Sequence, residues 1–366
     1  MNAHTQPLLI SGPCSVETEE QFVQTAKQLA ATGRVHLLRG GLWKPRTRPN
    51  SFEGVGAIGL SWMVNAKNET GLPITTEVAT AEHVEICLKH GVDVLWIGAR
   101  TTVNPFSVQE IADALKGVDI PVIVKNPVNP DLQLWIGALE RIYQSGVKKI
   151  VAMHRGFSHF GDSIYRNKPM WEIPIALKTQ YPELSIFCDP SHICGRRDLL
   201  LQVAQKALDL GMDGLMLESH LTPDMAWSDA KQQVTPFALI ELLDQLQVRT
   251  ASTDDRNFVN ELHALRSRID KVDEEIIQLI AKRMNITGEL GRYKKDHNIT
   301  ILQVDRWKEI IETRTMLADK LGLTREFIMN YLEQLHKESI RTQTRIMNDD
   351  AGGVPNRDNT TNTTSF

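Results

Sequence analysis

Between Leu8 and Glu218, eight short apolar runs each lead to a residue able to hold a metal or a phosphate. Leu8-Leu9-Ile10 precedes Cys14, Val35–Leu38 precedes Lys44 and Arg46, and Pro73–Thr76 precedes Glu77. Val94–Ile97 leads to Arg100, Val122–Val124 to Lys125, and Ile150–Met153 to Arg155. Ile186–Cys188 comes before Asp189 and His192, and Leu215–Leu217 before Glu218. Mixed polar and apolar stretches with helical periodicity lie between the runs, as at Glu17–Ala31, Thr80–Lys89, Asp198–Leu210 and Pro236–Gln247. Strands alternating with helices predict a parallel sheet, and eight such units predict a closed α/β barrel of the (β/α)8, or TIM, type. All strand ends then meet at one mouth. A ring of Cys, His, Glu and cations there reads as an active site.

The periodicity changes after the barrel. Val248–Arg256 is polar and reads as a linker. From Phe258, apolar residues recur at three- and four-residue steps through Leu262, Leu265, Ile269, Val272, Ile276 and Leu279. No proline interrupts Asn257–Lys295, which predicts a helix of roughly 40 residues, about 60 Å long. That length suggests pairing between two chains. Shorter helices are expected at Gln303–Lys320 and Thr324–Arg345, with Gly322 as the break. Residues rich in Asn, Thr, Asp and Gly end the chain and read as a disordered tail. The predicted organisation is therefore a barrel over 1–247, a linker over 248–256, an all-helical domain over 257–346 and a tail over 347–366.

The length of 366 residues suits a barrel of about 250 residues plus a smaller domain. A net charge of −4 and a pI near 6.3 argue against nucleic-acid and anionic-membrane partners. The four cysteines form no disulfide framework for a chain this size, and no leader or spanning segment is visible, so a cytoplasmic location is expected.

Cys14, His192, Glu218 and Asp229 follow strands one, seven and eight, which become neighbours once the barrel closes. Each alone has a bland explanation, but four ligand types at adjacent strand ends favour a metal. A mixed sulfur, nitrogen and oxygen set suits Mn, Fe, Co or Zn better than Mg. Lys44, Arg46, Arg100, Lys125 and Arg155 gather at strands two, four, five and six. Cations converging in an acidic protein call for small phosphorylated substrates.

The segments Gly12-Pro13-Cys14-Ser15-Val16-Glu17, Lys44-Pro45-Arg46-Thr47, Gly98-Ala99-Arg100, His154-Arg155-Gly156, Asp189-Pro190-Ser191-His192 and Ser228-Asp229 resemble the type I-beta 3-deoxy-D-arabino-heptulosonate 7-phosphate synthases. The resemblance covers residues ~8–245 and implies condensation of phosphoenolpyruvate with erythrose 4-phosphate, the first step of the shikimate pathway. It implies that Lys44, Arg100, Lys125 and Arg155 hold the enol phosphate and that Arg46 and Thr47 take the aldose phosphate, with Glu77 also at the substrate site. It assigns Cys14, His192, Glu218 and Asp229 to a divalent metal acting as Lewis acid, and Lys44 to a proton shuttle. The 3-deoxy-octulosonate 8-phosphate synthases resemble the same barrel but carry Lys-Ala-Asn-Arg where this chain has Lys44-Pro45-Arg46-Thr47, which favours the four-carbon aldose. His154 departs from the usual Glu before the Arg-Gly pair.

Residues 258–344 resemble the all-helical chorismate mutases through Leu265–Asp273, Ala281-Lys282-Arg283, Gly291–Lys294, Asp305-Arg306 and Ser339–Gln343. That family rearranges chorismate to prephenate with no organic cofactor, by electrostatic stabilisation. The resemblance places Arg283, Lys294, Arg306, Ser339 and Gln343 in one pocket. Arg266 lies seventeen residues before Arg283, about 25 Å along the helix, so as a ligand it must serve a second subunit of a homodimer. Trp307 stands where relatives often carry Glu, and Gln303 replaces a common Asp. A non-catalytic dimerisation module that senses ligands is the alternative reading. Many relatives of the barrel carry an N-terminal sensing domain for which Met1–Pro7 leaves no room. The helical domain is therefore expected to mediate feedback inhibition by prephenate.

Overall fold

The computed structural model describes residues 7–44, 52–249 and 254–348, and the chain divides between Ser252 and Thr253 into two compact units. In the first, eight parallel strands close into a barrel in sequence order. They are β1 (Leu8–Gly12), β2 (Leu37–Arg39), β3 (Ile74–Val78), β4 (Val94–Ile97), β5 (Val122–Lys125), β6 (Ile150–His154), β7 (Ser185–Cys188) and β8 (Gly214–Glu218). Closure pairs β1 with β8, Leu8 opposite Gly214 and Gly12 opposite Glu218. The helices between them are α1 (Glu19–Ala31), α2 (Ile58–Thr70), α3 (Ala81–Lys89), α4 (Ala99–Thr102), α5 (Pro105–Ala114) and α6 (Leu132–Gln144). Then follow α7 (Glu172–Gln180), α8 (Pro190–Cys194), α9 (Leu200–Asp209) and α10 (Pro236–Asp244).

Strand alternation divides the core in two. Ile10, Trp96, Ile123, Met153, Phe187 and Met216 fill the barrel interior, while Leu9, Leu95, Val124, Ala152, Ile186 and Leu215 face the helices. Side-chain oxygens stop the loops and start the helices: Thr18, Thr80, Asn104, Asp131, Asp189 and Thr235 each accept a first-turn N–H. The helix expected from Asp198 is a 3₁₀ turn over Arg197–Leu199 that runs into α9, and the pattern gave no sign of the short α4 and α8.

The second unit contains α11 (Arg256–Asp296), α12 (Val304–Lys320) and α13 (Arg325–Asn348). Asp255 caps α11 through the N–H groups of Asn257 and Phe258, so helix already occupies the end of the expected linker. Helix α13 continues through Asn348, past the expected start of the tail. The remainder of that tail, and linker residues 250–253, lie outside the described residues. Gly288 and Gly291 let α13 approach α11 closely, with Gln343 and Ile346 packed over them. The other half of α11 is unpartnered: Leu265, Ile269, Val272, Ile276 and Leu279 are 43–64% exposed. Among the described residues no helix is long and apolar enough to cross a membrane.

Candidate active sites

Gly12 ends β1 at φ 147°, where a Cβ would collide with the Arg39 carbonyl, and this turn delivers Cys14 to the barrel mouth. Glu218 comes from the end of β8, and Asp229 from the following loop, held left-handed at φ 48°. The three put one ligand atom each within 4.8 Å of one another, with Cys14 Sγ 3.5 Å from Asp229 Oδ2. His192 joins from α8, its Nε2 3.7 Å from Glu218 Oε1. Its other ring nitrogen, Nδ1, lies 2.8 Å from Asp189 Oδ2, an arrangement that orients a metal-binding imidazole. Burial, reinforced by Glu218, pushes the Cys14 thiol up to about 11, against Lys44 and Arg39. Lys44 Nζ donates to Cys14 Sγ at 3.1 Å. Burial would raise the Asp229 carboxyl, but Arg166, 3.0 Å away, and His192 hold it well below the ordinary range. This donor set fits a soft-to-borderline divalent ion, which binds the thiolate in place of the thiol proton.

Four of the five cations expected at the barrel mouth are described. Lys125 and Arg155, at the ends of β5 and β6, are buried. Burial lowers the Lys125 ammonium, opposed by Asp189, whose Oδ2 accepts from Lys125 Nζ at 2.8 Å. Burial brings Arg155 to about 10, which leaves it charged at neutral pH. Arg100 is exposed on α4, and Lys44 is half-buried beyond β2. Glu77 accepts from Trp96 Nε1 at 3.1 Å, and Gly98 makes room for its carboxylate. Arg46 and Thr47 lie outside the described residues.

The sequence reading missed three participants. Arg39, 1% exposed inside the barrel, pairs with Glu218 Oε1 at 3.1 Å and donates to the Cys14 carbonyl at 3.1 Å. Its guanidinium lies 4.9 Å from the Trp96 ring centroid. Its signal was a charge at the end of an apolar run, the same signal that marked Lys125. Asp189 was part of a quoted motif but received no role, although it joins Lys125 to His192. Arg166, in the loop after β6, had no recognisable pattern. His154 packs against Phe157 and Trp171 on the helix side of the sheet, with ring centroids 5.7 and 5.1 Å away. Burial, aided by Arg155, holds it neutral with a pKa of about 3.

In the helical unit Arg283 of α11 donates to Ser339 Oγ of α13 at 2.7 Å. Gln343, one turn further along α13, is buried, and its Nε2 donates to the Ser339 carbonyl at 3.3 Å. Lys294 is 6% exposed and donates to the Ile301 carbonyl at 2.7 Å; burial lowers its pKa. Arg306, on the exposed side of α12, pairs with Glu309 at 2.7 Å. Trp307 stacks on His336 of α13 with centroids 4.1 Å apart. Arg266 is exposed on the unpartnered half of α11, far along the helix from Arg283.

Comparison with known proteins adds to this geometry. The profile of the DAHP synthetase I family matches residues 2–254, and that of chorismate mutase type II matches residues 265–344. A phospho-2-dehydro-3-deoxyheptonate aldolase of Thermotoga maritima is 33% identical over 239 residues, 65% of this chain and 68% of that one. A crystal structure of phospho-2-dehydro-3-deoxyheptonate aldolase (DAHP synthase) from Thermotoga maritima superposes with a TM-score of 0.59 at 32% identity, covering 65% of this chain and 67% of the other. The T-protein of Haemophilus influenzae is 34% identical over 83 residues, 23% of this chain and 22% of that protein.

Proposed function

The chain belongs to the DAHP synthetase I family and carries a C-terminal chorismate mutase type II domain, and from that premise we propose how each unit works. It is a bifunctional enzyme of the shikimate pathway, a transferase in its barrel and an isomerase in its helical domain. The barrel reaction is condensation of phosphoenolpyruvate with erythrose 4-phosphate. The supporting observation is the convergence of Cys14, Glu218 and Asp229 within 4.8 Å, beside His192 and a set of cations.

In this reading Lys125, Arg155 and Arg100 bind the phosphate and carboxylate of the enol phosphate. Arg39 neutralises Glu218 from within the barrel, and Asp189 fixes both Lys125 and His192. Arg46 and Thr47 take the aldose phosphate. A divalent ion (Mn, Fe, Co or Zn) held by Cys14, His192, Glu218 and Asp229 supplies a Lewis acid for the aldehyde oxygen. C3 of the enol phosphate attacks the aldehyde carbon, water adds at C2, and the tetrahedral intermediate expels phosphate. Lys44, against the Cys14 sulfur, is positioned to pass a proton in these steps.

The helical unit rearranges chorismate by holding its two carboxylates and the developing charge on the ether oxygen. Arg283, Lys294, Ser339, Gln343 and Arg306 supply the donors, and Arg266 reaches in from a second chain. The exposed apolar stripe on α11 supports a homodimer through this helix. The Arg306–Glu309 pair and the aromatic Trp307 favour the second reading, a sensor that binds chorismate and prephenate with little turnover. Four free, buried cysteines accord with a reducing cytoplasm.

One coupled assay tests the whole scheme: full-length protein given phosphoenolpyruvate plus erythrose 4-phosphate, then chorismate. Phosphate release only with a five-carbon aldose phosphate would redirect the barrel to octulosonate synthesis. Chorismate binding without turnover would leave the sensor.

A further inference from the structure

We propose that His336 is a substrate-contacting residue of the mutase pocket, held in place by the Trp307 ring; this rests on reading the helical unit as a chorismate mutase.

His336, Ser339 and Gln343 stand at steps of three and four along α13, so they share one face of that helix. Ser339 and Gln343 are buried, and Arg283 reaches Ser339 from α11. Gln343 Oε1 is buried with no hydrogen-bond partner among the described residues, which marks this face as one that awaits a ligand. His336 therefore extends the polar face by one turn beyond Ser339. Its ring lies flat on Trp307 of α12, with centroids 4.1 Å apart and planes inclined by 17°. That stack restricts ring rotation and leaves the ring edge, where both nitrogens lie, uncovered by the Trp face. Three helices thus contribute to one spot: Arg283 from α11, Trp307 from α12 and His336 from α13.

The chemistry complements the cations. Arg283 and Lys294 answer the two carboxylates of chorismate, but neither accepts a hydrogen bond from its ring hydroxyl. Trp307 offers only an N–H. A neutral imidazole is both donor and acceptor, and burial together with the neighbouring Arg283 charge lowers the His336 pKa and keeps it neutral. It therefore recognises a hydroxyl without adding a further positive charge to the site.

The test uses full-length protein. His336→Phe preserves the stack and removes both ring nitrogens, whereas His336→Gln keeps a donor and an acceptor. Mutase kcat and KM are measured with chorismate, and prephenate affinity is read by tryptophan fluorescence. Condensation activity of the same preparations normalises for folded chain. H336F should lose about 10- to 100-fold in kcat/KM and bind prephenate about tenfold more weakly, as expected for one lost hydrogen bond to a substrate polar group. H336Q should retain both within about fivefold. If H336F melts early, H336N, whose shorter side chain falls away from the substrate, should show the same loss. Wild-type kcat/KM and prephenate affinity in a folded H336F or H336N would overturn the proposal. A wild-type chain that binds prephenate without turnover still tests it through affinity. One that neither binds nor turns over overturns the mutase reading and this proposal together.

Discussion

Arg39 Nη1 stands 3.1 Å from Glu218 Oε1, with both side chains sealed inside the barrel. The same guanidinium donates to the Cys14 carbonyl, so one cation ties the segments that carry two metal-ligand candidates. Arg39→Met should leave the buried Glu218 carboxylate without its guanidinium partner, held only by the Gln232 amide at 2.7 Å and by His192, costing about 3–5 kcal/mol in metal-free protein. Adding Glu218→Gln should restore part of that loss. The barrel unfolding transition in denaturant measures it, and an unchanged midpoint for the single variant contradicts the pairing.

Chelation should abolish condensation and leave chorismate rearrangement intact, because the ligand candidates are confined to the barrel. His192→Ala should act likewise by removing the one nitrogen ligand, lowering metal affinity roughly 10- to 100-fold or more. Metal content after dialysis and the two activities in parallel decide it. Full condensation by thoroughly demetallated protein would refute the assignment.

The barrel was legible because each strand is a short apolar run and each chemical residue sits at or just past its end. Closure pairs β1 with β8 and so brings Cys14 to Glu218, and the loop after β8 returns Asp229 to them. Arg39 escaped because the second run was read through to the cations beyond it, Lys44 and Arg46, whereas inside this barrel it is neutralised by Glu218 and faces Trp96. Arg166 escaped because it reaches Asp229 from a loop with no period. The long α11 was visible from its uninterrupted apolar steps. The Trp307–His336 stack was not, since it joins two helices that no local spacing relates.

Arg266→Ala and Lys294→Ala should each be nearly inactive as mutases, since each damages both pockets of a homodimer. Co-refolded mixtures should regain activity, because one pocket of every heterodimer then receives an intact Arg266 and an intact Lys294. The motivation is the ~25 Å axial separation of Arg266 from Arg283 on α11, together with the exposed apolar stripe beside it. No recovery despite proven heterodimers would mean that Arg266 does not act across the interface.

Burial disfavours the charged form of Lys294 and lowers its pKa from 10.5. The cation is needed to bind a dianion, so kcat/KM for chorismate should fall as pH rises through that lowered value. Once substrate is bound, its carboxylate stabilises the ammonium, and the corresponding limb of kcat should lie at higher pH. Lys294→Arg should move the kcat/KM limb upward as well. Coincident limbs in the two profiles would remove Lys294 from substrate binding.

Prephenate should inhibit condensation through the helical unit. It carries the same pair of carboxylates as chorismate, so the Arg283 and Lys294 cations that receive the substrate also receive the product. A binding difference of about 1–3 kcal/mol between active and inhibited forms gives roughly 5- to 150-fold coupling. Two consequences separate this from simple competition at the barrel. Lys294→Ala should abolish the inhibition while leaving uninhibited condensation unchanged, because Lys294 belongs to the other unit. By reciprocity, phosphoenolpyruvate should weaken prephenate binding by the same factor, even with erythrose 4-phosphate absent. Synthase rates across a prephenate titration, in wild type and Lys294→Ala, provide the measurement. A flat wild-type response means that the two units are merely fused. Equal inhibition of both proteins places the prephenate site in the barrel.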